Sequence, residues 1–198
     1  MTELETDRLL IREFLSSDFE AFRQYVQSEH HWRSTPDEQP PTAARVQGLL
    51  KHFLQTQTNG PRAEFHLAAV DRISNEFVGA VDLCTFTPWR QGTLGWGATA
   101  NRVGQGLATE MGHAMLQFAF GTLGLHRVQA SCRTENHASR RIMAKLGMRE
   151  EGVMRDNMFV RGEWWSTFQA AILSSDPPMR PTVSKTNRSA DASPPGAV

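Results

Sequence analysis

The sequence is poor in several features, and each shortage excludes a class of protein. Its 198 residues include two cysteines, Cys84 and Cys132, too few for a disulfide framework or a four-thiolate zinc site. Reduced thiols are typical of the cytoplasm, where we therefore expect the protein to act. The longest nearly apolar run, residues 114–120, contains Gln117 and is far shorter than the roughly 20 residues of a membrane span. We expect no membrane partner.

The chain also lacks net charge, since 21 basic side chains balance 21 acidic ones. A balanced composition argues against a protein that coats nucleic acid through a basic face. The first eight residues, MTELETDR, are charged and lack the apolar segment of a secretory signal.

Large apolar side chains are scarce in the last 25 residues. Residues 174–198 contain five of the ten prolines and none of the 17 aromatic residues. Such a segment cannot bury enough apolar surface to offset the entropy of ordering it. We predict one globular domain over residues 1–173 and a disordered Pro/Ser-rich tail over residues 174–198.

Apolar periodicity over residues 1–173 predicts the element order βααβββαβαββ. One strand pattern covers residues 6–14, a polar loop covers residues 28–41, and Thr42 caps the second helix. Two alternating segments around residues 72–75 predict a hairpin. The fold class is α/β (α+β): one domain with a mixed, mostly antiparallel, twisted sheet of about six or seven strands and about four flanking helices.

A glycine-rich turn carries the clearest functional signal. Residues 96–110, WGATANRVGQGLATE, read as a strand, a loop with Gly104 and Gly106, and the start of a long helix. Backbone N–H groups at a helix start lack intrahelical acceptors and favour anions, so this turn suits a pyrophosphate. Gly95 and Gly97 flank Trp96 and allow a bulge or the close approach of a ligand to the strand.

Two other phosphate-binding motifs fit this turn less well. A dinucleotide-binding fingerprint would need a third glycine where Thr109 stands, together with repeated βαβ units. A P-loop would need a Gly-Lys-Ser or Gly-Lys-Thr sequence. An NAD-binding module remains an alternative.

A helix beginning at Asn136 carries Arg140, Arg141 and Lys145, a local positive charge that could meet an anionic ligand.

Several segments in the correct order resemble the GNAT superfamily of acetyl-CoA-dependent N-acetyltransferases, in particular its RimJ/RimL-like branch. They are TDRLLIRE, VGQGLATE and LGLHRVQASCRTENHASRRIMAKLGMREEG, and the resemblance covers about residues 6–173. It implies direct transfer of an acetyl group from acetyl-CoA to a primary amine, either a protein N-terminal α-amine or a small-molecule amine. The residues expected at acetyl-CoA are Trp96, Gly97, Ala98, Val103, Gly104, Gln105, Gly106, Leu107, Ala108, Thr109, Asn136, Ser139 and Arg141.

The same resemblance assigns catalysis to Ser139, whose hydroxyl would protonate the departing CoA thiolate. Many members use a tyrosine, but the single tyrosine here, Tyr25, has a core-facing position in the first helix pattern. Helix-start capping is the alternative role for Ser139. The glutamate that some members use as base is missing. The remaining candidates are water, Asp156, Glu64, His66, Asp82 and the His30–His31 pair.

The acceptor is expected between residues 29–37 and the last strands, with His31, Trp32 and Trp164 as contacts. The reaction needs no metal, and the seven histidines show no ligand spacing, so we expect acetyl-CoA as co-substrate and no metal site. The protein would be a monomer or homodimer. A non-catalytic acyl-CoA-binding or sensor protein on the same fold is the alternative function.

Overall fold

A computed structural model describes residues 2–58 and 61–177. The predicted disordered tail lies outside the described residues from position 178 onward. Within the described ranges, no helix is long and apolar enough to cross a membrane.

One mixed sheet runs through the molecule in the order β1-β2-β3-β4-β5-β6-β8-β7. Every neighbouring pair is antiparallel except β5 and β6, which are parallel. The strands are β1 Glu3–Glu5, β2 Leu9–Glu13, β3 Glu64–Asp71, β4 Phe77–Phe86, β5 Gln91–Ala98, β6 Arg127–Arg133, β7 Arg149–Val160 and β8 Glu163–Leu173.

Helices cover both faces of this sheet. They are α1 Phe19–Gln27, α2 Glu29–Trp32, α3 Ala43–Thr56, α4 Leu107–Gln117 and α5 His137–Lys145. The predicted α/β class with a mixed sheet is confirmed. The described residues contain eight strands and five α-helices, however, one more of each than the upper limit we predicted.

The additional strand comes from a turn that the apolar pattern does not show. The Thr6 N–H donates to the Leu9 carbonyl at 2.9 Å, and this turn folds Glu3–Glu5 back against β2. Leu9 and Ile11 are fully buried and face the core, as the alternation of β2 predicts. The predicted single strand over residues 6–14 is therefore replaced by β2 and part of a tight turn.

The additional helix lies in the segment predicted as a loop. The Ser28 side chain accepts a hydrogen bond from the His31 N–H at 3.3 Å and caps the four-residue helix α2. Thr42 caps α3 as predicted, by accepting from the Arg45 N–H at 3.3 Å. The predicted hairpin between β3 and β4 is also present.

The sheet separates two apolar cores. On one face, Met111 and Met115 of α4 belong to the same core as buried side chains of β2, β3 and β6. On the other face, α1 and α3 bury an aromatic cluster that contains Phe14, Phe22 and Tyr25. We call these the α4 face and the α1 face. Strand β5 lies near the centre of the sheet, between β4 and β6.

Candidate functional site

A gap opens where β5 and β6 part. The two strands pair only over Gln91–Thr93 and Arg127–Gln129, although β5 continues to Ala98 and β6 to Arg133. On its other side, β5 stays paired with β4 along its whole length. Backbone groups of residues 94–98 that point toward β6 therefore lack sheet partners and can bind a ligand in the gap.

This gap belongs to a cleft of about 660 Å³ that joins the two faces of the sheet. From β5 through α5, the cleft is lined by these predicted acetyl-CoA residues: Trp96, Gly97, Ala98, Val103, Gly104, Gly106, Leu107, Ala108, Thr109, Asn136, Ser139 and Arg141. Separate elements of the chain thus supply one continuous surface.

The glycine-rich turn places the start of α4 at this cleft. Gly104 and Gly106 have φ angles of +81° and +80°, a left-handed conformation that favours glycine. The first intrahelical bond of α4 runs from the Glu110 N–H to the Gly106 carbonyl at 3.1 Å. The N–H groups at the beginning of the helix therefore have no intrahelical acceptor and, with the helix dipole, create an anion-binding end.

Gly97 also has a role that the sequence did not indicate. The β4–β5 register runs without interruption, so the bulge that the sequence allowed is not formed, whereas Gly95 and Gly97 do line the cleft. A Cβ at position 97 would overlap the hydroxyl of Tyr25 on the α1 face. At Gly95, a Cβ would have ordinary clearance of 3.8 Å to the Asp82 carboxylate. Gly97 is therefore required by the packing of Tyr25.

At the start of α5, Asn136 caps the helix and leaves the Ser139 hydroxyl without a role in the cap. The Asn136 Oδ1 accepts a hydrogen bond from the Ser139 N–H at 3.0 Å, so Asn136 is the helix cap. The Ser139 hydroxyl, half-buried in the cleft, makes no hydrogen bond to any described residue. Its side chain is available to a ligand.

Positive charge is concentrated on one side of the cleft. Arg141 and Lys145, one turn apart on α5, line it and form no ion pair within the described ranges. Arg140 points elsewhere, with its guanidinium 4.4 Å from the centre of the Phe168 ring. The positive side of the cleft therefore comes from two of the three basic residues noted in the sequence.

Arg102 also lines the cleft, but acidic partners hold it. It donates to Asp71 at 2.6 Å and to Glu76 at 3.3 Å. Hydrogen bonds from the Ser74 N–H, Arg102 and the Ile73 N–H lower the pKa of Asp71 to about 2. Asp71 is thus ionised at neutral pH, and the pair ties the β3–β4 hairpin to the loop before α4.

The opposite end of the cleft, which we call the acceptor end, is formed by His30, His31, Ser34, Thr35 and Asp82. Asp82 is the one carboxylate among the residues lining the cleft, and its side chain lies over Gly95. Burial lowers the pKa of His31, whose ring packs 4.3 Å from that of Tyr25. The acceptor end therefore combines a carboxylate with a largely neutral imidazole.

Three predicted site residues lie outside the cleft lining. The Gln105 side chain turns back and donates to the Asn101 carbonyl at 3.3 Å. The Trp32 ring lies beneath the Arg161 guanidinium, 4.8 Å away, and Trp164 is 62% exposed on β8. Of the expected acceptor contacts, the structure brings His31 alone to this cleft.

Of the candidate general bases, some line the cleft and others lie away from it. Asp82 and the two histidines line the cleft, whereas Glu64, His66 and Asp156 do not. Asp156 lies on β7, where it pairs with the Ser166 hydroxyl at 3.2 Å. Glu64 and His66 instead join a hydrogen-bonded cluster with His52 and Asp82. Sequence reasoning missed this cluster because its members come from α3, β3 and β4.

Cys132 is a cleft residue that the sequence did not indicate. Burial raises the pKa of its thiol to about 11, although nearby Arg140 opposes the shift. The thiol is therefore almost wholly protonated at neutral pH and is a poor nucleophile.

A mixed sheet with a splayed parallel pair, a glycine turn that starts a helix and an Asn-capped helix together define a binding fold for an extended, phosphate-bearing ligand. The family model described as acetyltransferase (GNAT) domain matches residues 8–149. The chain belongs to this family and is an N-acetyltransferase, as the sequence motifs predicted. Acetyltransferases of the family take the acetyl group from acetyl-CoA and transfer it to an amine.

Similar proteins support the same assignment. The uncharacterized N-acetyltransferase YnaD of Bacillus subtilis is 29% identical over 173 residues, which cover 87% of this chain and 98% of that protein. The [ribosomal protein uS5]-alanine N-acetyltransferase of Escherichia coli is 25% identical over 181 residues, covering 87% and 91%. A solved GNAT-family acetyltransferase from Bacillus anthracis is 27% identical, covering 87% and 99%, with a TM-score of 0.77. The predicted RimJ/RimL-like resemblance is confirmed.

Proposed function

We propose that the protein transfers the acetyl group of acetyl-CoA to the primary amine of a peptide N-terminus or a small molecule. The observation that carries the proposal is the continuity of the cleft. It runs from the anion-binding start of α4, through the gap beside β5, to the acceptor end at Asp82. Donor and acceptor could therefore meet at the gap.

The donor is assigned to the α4 face. Main-chain N–H groups of residues 103–109 would bind the pyrophosphate, while Arg141 and Lys145 would add positive potential beside it. The pantetheine arm would enter the gap along residues 96–98 and approach Asn136. Such an extended path holds the thioester in one orientation, which lowers the entropic cost of the reaction.

The acetyl carbonyl would lie against the unpaired backbone of β5. When the amine attacks, negative charge develops on the carbonyl oxygen, and an N–H from residues 96–98 would stabilise it. Removing one donor of this kind typically slows a reaction ~10²–10³-fold. No side chain is needed for this contribution, which agrees with the small residues Gly97 and Ala98 at this position.

Ser139 is proposed as the acid. Because Asn136 already caps α5, the Ser139 hydroxyl is available to donate a proton to the leaving CoA thiolate. Tyr25, the single tyrosine, is buried in the aromatic cluster of the α1 face, and burial raises the pKa of its hydroxyl. General acid catalysis by a placed side chain is worth ~10²–10⁴ in rate.

The amine is assigned to the α1 face. Asp82 would accept a hydrogen bond from the incoming ammonium group, beside His31 and the α2 helix, and the ammonium would lose a proton to water or to Asp82 before its nitrogen attacks the thioester. A bond between an ammonium donor and a carboxylate is stronger than a neutral one and would orient the nitrogen toward the gap. Two half-buried, unpaired cysteines fit a cytoplasmic protein that works where thiols stay reduced.

The test is product identification by mass spectrometry. The untagged chain is incubated with acetyl-CoA and a panel of peptides with different first residues, polyamines, amino acids and aminoglycosides. We expect a mass gain of one acetyl group on an amine of one class, together with release of CoA. Tight CoA binding without product from any class would favour the sensor alternative. Absence of CoA binding would refute the donor site.

A further inference from the structure

A second polar cluster lies behind the acceptor end, and each of its members except Asp82 is outside the cleft lining. It consists of His52 on α3, Glu64 and His66 on β3, and Asp82 on β4. His52 and His66 are 14 positions apart in the sequence and lie on a helix and a strand, so the period of a single element does not relate them. The packing of α3 on the sheet brings them together.

The ligand atoms of this cluster converge. His52 Nε2 is 2.8 Å and His66 Nε2 is 3.2 Å from the same oxygen of Glu64, Oε2. The three ligand atoms lie within 4.8 Å of one another. Zinc binds imidazole nitrogen and carboxylate oxygen at about 2.0–2.2 Å, so neighbouring ligand atoms on a tetrahedral ion are about 3.3 Å apart. The His66–Glu64 spacing of 3.2 Å is close to this value, and the His52–Glu64 spacing of 2.8 Å is shorter by about 0.5 Å.

Both ring nitrogens of His66 face carboxylates. Nδ1 lies 2.6 Å from Asp82 Oδ1, and Nε2 faces Glu64. A neutral imidazole has one N–H and one lone pair, so it can donate to one of these carboxylates only. When Asp82 receives the N–H, the Nε2 lone pair points at a carboxylate oxygen. Either a second ring proton or a metal cation placed between Nε2 and Glu64 satisfies both groups, so a bound metal ion would take the place of that proton.

The orientation of the His66 ring is held firmly. Its side chain is 13% exposed, and its ring stacks on Phe53 with centroids 4.1 Å apart and planes inclined by 20°. A histidine that ligates a metal commonly donates its other N–H to a carboxylate, which fixes the tautomer and orients the ring. Asp82 stands in that position toward His66.

We propose that His52, Glu64 and His66 bind a divalent first-row transition-metal ion, with Asp82 as the outer carboxylate on His66. Two imidazoles and one carboxylate suit Zn²⁺, Co²⁺ or Ni²⁺, whereas Mg²⁺ and Ca²⁺ prefer oxygen ligands alone. The His52 and Glu64 side chains are 52% and 41% exposed, which gives the ion a route from solvent. Because Asp82 also lines the acceptor end, an ion bound to His66 would fix the position of that carboxylate through the His66–Asp82 hydrogen bond.

The test measures metal binding directly and requires no acceptor amine. The full chain, stripped of metal and free of any histidine tag, is titrated with Zn²⁺ by calorimetry, and Co²⁺ is added separately to follow its visible absorption. We expect one ion per chain and a Co²⁺ spectrum characteristic of bound imidazole. His52→Ala and Glu64→Gln should each weaken Zn²⁺ binding at least about tenfold, and Asp82→Asn should weaken it about 10–100-fold.

The matched control is His126→Ala, which removes an exposed histidine of another surface and should leave Zn²⁺ affinity unchanged. Mg²⁺ should give no saturable heat. The proposal is overturned if the chain shows no saturable Zn²⁺ binding, or if His52→Ala and Glu64→Gln both bind Zn²⁺ as the wild type does. Thermal unfolding of each variant without metal verifies that it is folded, and His52, being on the surface, can be removed without opening the core.

Discussion

Replacing Gly97 by alanine tests the packing that shapes the central strand of the site. A Cβ at position 97 would overlap the Tyr25 hydroxyl and lie 3.1 Å from the Tyr25 Cζ. Tyr25 is buried in the aromatic cluster with Phe22 and Phe77, so its ring has little room to withdraw. The substitution therefore forces either the tyrosine or the β5 backbone to move.

The expected loss of folding stability in Gly97→Ala follows from this overlap. Forcing extra atoms into a well-packed core typically destabilises a protein by about 1–3 kcal/mol. The Tyr25 hydroxyl makes no hydrogen bond to a described residue, so Tyr25→Phe alone should cost little, and it removes the overlapping atom. The effects of substitutions at two residues in direct contact depart from additivity by about 0.5–3 kcal/mol. We therefore expect the double variant Tyr25→Phe/Gly97→Ala to be at least about 1 kcal/mol more stable than additivity of the two single variants predicts.

Urea unfolding of the two single variants and the double variant measures this coupling. The matched control is Gly95→Ala on the same face of β5, because a Cβ there has 3.8 Å of clearance to Asp82. We expect Gly95→Ala to have nearly wild-type stability. Equal stability of Gly97→Ala and Gly95→Ala, or a double variant no more stable than Gly97→Ala, would refute the steric conflict between position 97 and Tyr25.

Two further predictions concern the cleft. Replacing Arg141 and Lys145 together by alanine should weaken CoA binding by about tenfold at low ionic strength and by less at high salt, because exposed charges are screened. The control Arg140→Ala removes a cation that faces Phe168 and should leave CoA affinity unaltered. An equal loss of CoA affinity in Arg140→Ala and in the Arg141/Lys145 double variant would contradict the assignment of the positive side of the cleft to Arg141 and Lys145. With a pKa of about 11, Cys132 should be alkylated slowly by iodoacetamide at pH 8, where only about one thiol in a thousand is ionised. Bound CoA should slow the alkylation of Cys132 further and leave that of Cys84 unaffected, and peptide mass mapping measures both. Rapid labelling of Cys132 in the presence of CoA would refute the placement of Cys132 in the cleft.

The local features of the site were predictable because short-range chemistry sets them. Gly104 and Gly106 adopt the left-handed conformation that a loop entering a helix requires. Thr42 caps α3 as predicted, since a side-chain oxygen at a helix start can satisfy a free N–H. Asn136 begins α5 as predicted and is its cap, a role that the sequence offered for Ser139 instead. Each of these interactions joins residues at most three positions apart.

Other features depend on contacts that the linear pattern does not contain. The requirement for glycine at position 97 comes from Tyr25 across the α1 face, and the His52–His66 cluster comes from the packing of α3 on β3. The four-residue helix α2 is too short to show an apolar period. These were missed or misassigned because tertiary packing decides them.

The most direct test of the account is the effect of Ser139→Ala on turnover and on CoA affinity, measured side by side. With the acceptor found in the amine panel, we predict that kcat falls about a hundredfold or more while the Kd for CoA stays at the wild-type value. Ser131→Ala, which removes another serine hydroxyl from the lining of the same cleft, should change neither quantity. Full turnover by Ser139→Ala, or a loss of CoA affinity that accounts for the loss of rate, would contradict the proposed acid.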